Sequence, residues 1–132
     1  MRRKLGATAL ALLIVAVAVA AAPQPMKGWV LLGQRTVTDR GDHDLIAVTG
    51  ARGTFRQIKL TVQRAPVDFH RVVVHYGNGA DQTLEMRNTI AAGGETRSID
   101  LEGGERILKS VEFWYDANTR GRRAVVRLWG QD

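Results

Sequence analysis

The sequence predicts an all-β protein: an antiparallel β-sandwich of jelly-roll or immunoglobulin-like type with about eight strands, or alternatively a small β-barrel. Three observations carry that expectation. Apolar and polar residues alternate with period two through almost every segment after the leader. Clusters of Gly, Asn and Asp cut the alternation into short runs. No segment beyond the leader shows a clear helical period.

The elements follow in chain order. "MRRKLGATALALLIVAVAVAAAPQP" opens with Arg2, Arg3 and Lys4, runs uncharged from Leu5 to about Val19, and offers Ala18-Val19-Ala20 as an A-x-A cleavage site. Residues 1–20 therefore read as a signal peptide. A cut after Ala22 would leave Pro23 at the new terminus, so cleavage after Ala20 is preferred. The segment is too short and too alanine-rich for a span needing about 20 strongly apolar residues, so no stable membrane span is expected after cleavage. The expected location is periplasmic or extracellular. Residues 21–28 form an extended lead-in, since Pro23 and Pro25 discourage helix. Residues 29–132 then make a single β-sandwich domain, a length that supports one core. With no cysteine, the chain is neither a lipoprotein nor a disulfide scaffold.

"WVLLGQRTV" and "DLIAV" give the first two strands. "FRQIKLTVQ" sets Ile58, Leu60 and Val62 on one face and Gln57, Lys59 and Thr61 on the other. "RVVVHYGNGADQTLEM" reads as a hairpin, with Val72, Val74 and Tyr76 before Asn78-Gly79 and Leu84 and Met86 after it. Asn-Gly between alternating runs is the strongest local hairpin signal, because both residues tolerate positive φ. "TRSIDLEGGERI" is a strand, a Gly103-Gly104 turn and a strand start. "RILKSVEFWYD" alternates through Ile107, Val111, Phe113 and Tyr115, and "RAVVRLWG" through Ala124, Val126 and Leu128.

The series "DHDLIAV", "GTFRQIKLTV", "VVVHYGNGADQTL", "AGGETRSIDLEGGERILKSVEFWY" and "AVVRLWG" resembles a family of small exported bacterial proteins of unknown function. The resemblance covers about Leu32 to Gly130, and it implies an exported all-β domain without implying an activity.

Composition narrows the function classes. The formal net charge falls from +6 to +3 once Arg2, Arg3 and Lys4 leave with the leader, which is no electrostatic footprint for nucleic acid. The two serines, Ser98 and Ser110, lie in strand patterns, and no G-x-S-x-G elbow, H-E-x-x-H or Walker loop occurs. Glu85, Glu102 and Glu112 are carboxylates that could pair across strands, but nothing in the sequence places two together.

Three places could carry chemistry. In "TDRGDHDLIAV" Asp39, Asp42 and Asp44 could hold a calcium ion outside the EF-hand pattern, although a structured turn into a strand explains the same residues. No other cofactor is expected. His70 and His75 are five apart and fall on opposite faces of a regular strand; a bulge near Arg71 would bring them together. The switch of apolar positions from Val67/Phe69 to Val72/Val74 suggests that break, and Asp68 shares a face with His70. Arg120, Arg122, Arg123 and Arg127 form the densest basic patch. Arg123 and Arg127 lie on one face with Val125 and Trp129, which offers either a ligand surface or a charged edge guarded against aggregation. Trp114, Trp129 and Tyr76 read as core or rim residues.

The first functional reading is a noncatalytic exported module that binds a cell-envelope component or protein partner. The second is a cation-stabilised carbohydrate-binding module. The third is a small hydrolase with carboxylate or His–Asp chemistry.

Overall fold

Strands form where the alternation is cleanest, because only there does one face bury apolar side chains while the other meets water or a second layer. A computed structural model describes residues 28–50, 53–117 and 121–132. The signal peptide, the lead-in as far as Lys27, and Arg120 lie outside the described residues. In chain order the strands are β1 (Val30–Val37), β2 (His43–Ala47), β3 (Gln57–Gln63), β4 (Val67–Tyr76), β5 (Asp81–Ile90), β6 (Ile99–Asp100), β7 (Leu108–Ala117) and β8 (Ala124–Gln131). They form two four-stranded antiparallel sheets, β1-β8-β3-β6 and β2-β7-β4-β5, which are not closed into a barrel.

That order is a jelly roll. The chain behaves as one long folded ribbon whose first strand pairs with its last, the second with the seventh, the third with the sixth and the fourth with the fifth. The tip of the ribbon is the expected "GNG" hairpin. Gly79 takes φ 92°, its N–H donates to Tyr76 O at 3.0 Å, and Asn78 Oδ1 accepts from Ala80 N at 3.0 Å.

The inner faces close on each other. Ile58, Leu60 and Val62 of the first sheet and Val72, Val74, Phe113 and Tyr115 of the second are essentially inaccessible. Phe113 sits edge-on to Phe69 at 5.8 Å and tilted against Tyr115 at 5.3 Å. Burying each such side chain stabilises by about 1.5–3 kcal/mol. A one-residue slip would turn the whole set outward, so this face fixes the register.

The two lateral edges are tied differently. On one side β1 approaches β2 so closely that a Cβ on Gly33 would stand 2.8 Å from Ile46 Cγ2, and Thr49 N and Gly50 N both donate to Leu32 O. On the other side Gln82 of β5 crosses to the end of β6. Its Nε2 donates to Asp100 O at 3.1 Å and its Oε1 accepts from Glu102 N at 3.0 Å and from the Tyr76 hydroxyl.

Three details depart from the strand-by-strand expectation. Ile107 does not continue the inward alternation of β7: a register shift between His75 and Tyr76 turns Leu108 inward and leaves Ile107 61 % exposed. The strand expected in "TRSIDLE" shrinks to Ile99–Asp100. Residues ahead of it follow β3 irregularly, with Gly93 N donating to Val62 O at 2.7 Å and Thr96 N to Leu60 O at 2.8 Å. Lys59 and Thr61 do face outward from the first sheet, yet both are buried. Glu95 and the Trp29 ring cover the Lys59 ammonium at 3.0 and 4.4 Å, and Trp129 Nε1 donates to Thr61 Oγ1 at 2.9 Å.

Candidate functional site: the outer face of the second sheet

All three histidines of the chain reach one surface, the outer face of β2-β7-β4-β5. His43 and His75 arrive there by alternation. His70 shares it with His75, five residues away, only because of a bulge: register shifts between Phe69 and Arg71 against both β5 and β7 and leaves His70 as the extra residue.

One row of polar side chains crosses the sheet, one residue per strand. His43 Nε2 of β2 donates to Glu112 Oε2 of β7 at 2.6 Å. Glu112 Oε1 is paired with His75 Nε2 of β4, and His75 Nδ1 meets Asp81 Oδ1 of β5 at 2.6 Å. An imidazole whose two nitrogens both face carboxylates satisfies both only as the imidazolium. Accordingly His75 is held above its ordinary 6.5, first by the Glu112 hydrogen bond and then, against partial desolvation, by Asp81. Glu112 is held below its ordinary 4.5, first by His75 and then by His43, again against desolvation. A hollow of about 290 Å³ lies beside this row, bordered by Leu45, Lys109 and Ser110.

A second row sits toward the other end. Asp68 of β4 lies directly opposite Asp116 of β7 and Thr89 of β5. His70 Nε2 reaches Asp116 Oδ2 at 2.9 Å, and Thr89 Oγ1 donates to Asp68 Oδ1 at 3.1 Å. Between the rows, Trp114 is held between two neighbours. His43 stacks on it at 4.5 Å and the Arg71 guanidinium lies 3.9 Å from its ring centre.

The other sequence candidates are placed apart. Asp44 turns into the end of the sandwich, where Oδ1 accepts from Arg35 Nε at 3.0 Å and Oδ2 from the Tyr115 hydroxyl at 2.6 Å. Asp39 and Asp42 are exposed. The set of three donors that converges within 4.8 Å among the described residues is Asp68, His70 and Asp116, not the three loop aspartates. Arg123 is exposed, and Arg127 donates to Gln34 Oε1 at 3.0 Å. Trp129 shares their face but is 4 % exposed, so its indole offers little open ring for stacking.

A family model for a domain of unknown function, DUF2541, matches residues 7–130. The chain belongs to the DUF2541 family. No curated protein matches it. Among solved structures, AlgX of Pseudomonas aeruginosa is similar at a TM-score of 0.49 and 15 % identity, over 77 % of this chain. The chain spans only 26 % of that AlgX chain.

For this DUF2541 chain the His75–Glu112 pair gives a prediction with a definite sign. His75, raised when folded, contributes stability in full below 6.5 and loses it as pH rises through the folded value. Glu112, lowered when folded, contributes in full above 4.5 and loses it as pH falls through the folded value. The stability gap between wild type and Glu112→Gln should therefore be widest between pH 4.5 and 6.5, and should narrow as pH rises through the folded value of His75 or falls through that of Glu112. Thermal unfolding across and beyond that range measures it, and a flat gap would contradict the pairing.

Proposed function

We propose that the protein is an exported, noncatalytic binding module that engages a cell-envelope component or protein partner through the outer face of the second sheet. The observation that carries this reading is the ordered array on that face: two cross-strand rows of carboxylates and imidazoles with Trp114 held between them. Side chains fixed by one another lose little further freedom on binding, which favours recognition. The outer face of the first sheet is closed over Lys59, Thr61 and Trp129 by comparison.

The setting supports binding more than turnover. His70 and Asp116 have side chains 47 % and 78 % exposed, whereas acid–base chemistry gains most in a water-excluded site. A sugar platform needs an open aromatic face, and Trp114 has its flanks taken by His43 and Arg71. Asp68, Asp81, Glu85, Glu112 and Asp116 stand on this face beside Arg71 and the His75 imidazolium, a mixed-charge surface that suits a protein segment or polar envelope group better than nucleic acid. Export is supported by the residue pattern of positions 1–20, with its cationic start, uncharged apolar run and A-x-A site.

Two measurements test the reading. The intact mass of protein recovered from cells expressing the full chain should correspond to a start at Ala21; a full-length mass would reject cleaved export. A photo-crosslinking residue placed at Thr83 or Glu85, on the outer face of β5, should capture a partner in those cells. The same group at Gln34 or Gln63 of the first sheet should not. Equal capture from both sheets, or none from Thr83 and Glu85, would reject the proposed face.

A further inference from the structure

We propose that Asp68, His70 and Asp116 bind one Zn²⁺ ion at the end of the second sheet. This goes beyond the partner-binding reading and does not depend on it. The three donor atoms already lie within 4.8 Å of one another. They come from two strands: Asp68 and His70, two residues apart on β4, share the outer face by alternation, and Asp116 lies opposite Asp68 on β7. The bulge after Phe69 then resets the phase, so that Val72 and Val74 turn inward beyond it.

The electrostatics favour a cation at this point. Asp68 and Asp116 stand directly opposite each other on paired strands, where like charges are destabilising. A divalent ion bridging them turns that repulsion into coordination. Thr89 Oγ1 holds Asp68 Oδ1 at 3.1 Å, the arrangement by which an outer hydroxyl orients a ligating carboxylate. The other cluster on this face is not free in the same way, because Glu112 has both oxygens committed to histidines and His75 both nitrogens to carboxylates.

The donor set selects the metal. One imidazole nitrogen and two carboxylate oxygens are three ligands of the kind zinc takes in tetrahedral sites, with water as the fourth. Calcium takes about 6–8 oxygens, which these three side chains cannot supply. Tetrahedral bonds of about 2.1 Å put donors roughly 3.4 Å apart, so the 2.9 Å His70–Asp116 contact opens slightly as the ion enters. The side chains of His70 and Asp116 are exposed enough to turn, and a hollow of about 460 Å³ lined by Pro66, Asp68, Thr89, Asp116 and Ala117 leaves room for the water.

Calorimetric titration of the exported protein, purified metal-free, tests this directly. ZnCl₂ should bind one ion per chain in the micromolar range, and CaCl₂ at the same concentrations should not. His70→Ala and Asp116→Asn should each weaken Zn²⁺ binding at least tenfold. The second keeps the test valid if the first disturbs the bulge, because the Asp116 side chain is 78 % exposed and the amide is isosteric. Asp42→Asn, which removes a loop carboxylate that is not one of the three donors, should bind like wild type. Co²⁺ should give the intense visible absorption of a tetrahedral site, lost in Asp116→Asn. Absence of saturable Zn²⁺ binding, binding that survives both His70→Ala and Asp116→Asn, or loss on Asp42→Asn would each overturn the assignment.

Discussion

Gly41→Ala is expected to destabilise the domain by roughly 2–4 kcal/mol, lowering the melting temperature on the order of 10 °C. A Cβ on Gly41 would overlap the Tyr115 hydroxyl oxygen. That hydroxyl cannot retreat, because the ring is 1 % exposed and packed against Phe113. Nor is it free to turn, since it donates to Asp44 Oδ2 at 2.6 Å while Asp42 O accepts from Tyr115 N at 3.0 Å. Burial, and then the Asp44 carboxylate, push the phenol well above its ordinary range, so it remains a donor at any ordinary pH. The loop must therefore lift, breaking a hydrogen bond to a charged acceptor as well as straining its packing. Removing the oxygen should relieve the clash. In a Tyr115→Phe background the Gly41→Ala penalty should fall to less than half, as a double-mutant cycle by denaturant melts would show. Equal penalties in the two backgrounds would rule out the hydroxyl as the cause.

Gln82→Leu is expected to cost about 2–4 kcal/mol, although it replaces an amide by an apolar group of similar size in a buried position. The loss comes from what the amide leaves behind. Tyr76 OH, 2 % exposed, loses its acceptor, Asp100 O its donor and Glu102 N its acceptor. An unsatisfied buried group costs about 1–3 kcal/mol, and the two backbone groups recover part of theirs from water. Because Gln82 ties β5 to the end of β6, hydrogen exchange at Leu101 N, which donates to Arg56 O at 2.9 Å, should accelerate more than exchange in β7. A variant within about 0.5 kcal/mol of wild type would show that the bridge is dispensable.

Local pattern made most of the fold legible. Ile58/Leu60/Val62, Val72/Val74/Tyr76 and Ala124/Val126/Leu128 announce their inner faces by alternation alone, and Asn78-Gly79 announces the tip of the ribbon. The bulge is legible as well, because the apolar phase shifts between Phe69 and Val72. What alternation cannot supply is which distant residue lands opposite. Glu112 and Asp116 are outward by their phase in β7, yet their meeting with His75 and His70 depends on the β4–β7 register. Asp44 read as a loop carboxylate available to a cation, because nothing nearby reveals Tyr115, which lies 71 residues along the chain. Lys59 and Thr61 fall on the polar face by alternation, and nothing nearby reveals that Trp29, Glu95 and Trp129 cover them from far along the sequence.

The ribbon pairing has a consequence for timing. Leu31 waits for Trp129 and Ile58 for Gly130, so neither β1 nor β3 has its main partner until the last strand exists. Contacts this distant in sequence make folding slow, because loop closure must precede the interactions that reward it. The β4–β5 hairpin can form early, but alone it is only marginally stable. A ribosome releasing this chain from its N-terminus therefore emits a polymer that stays loose almost to its final residues. Such a chain can be threaded through a narrow channel and assembled only on the far side.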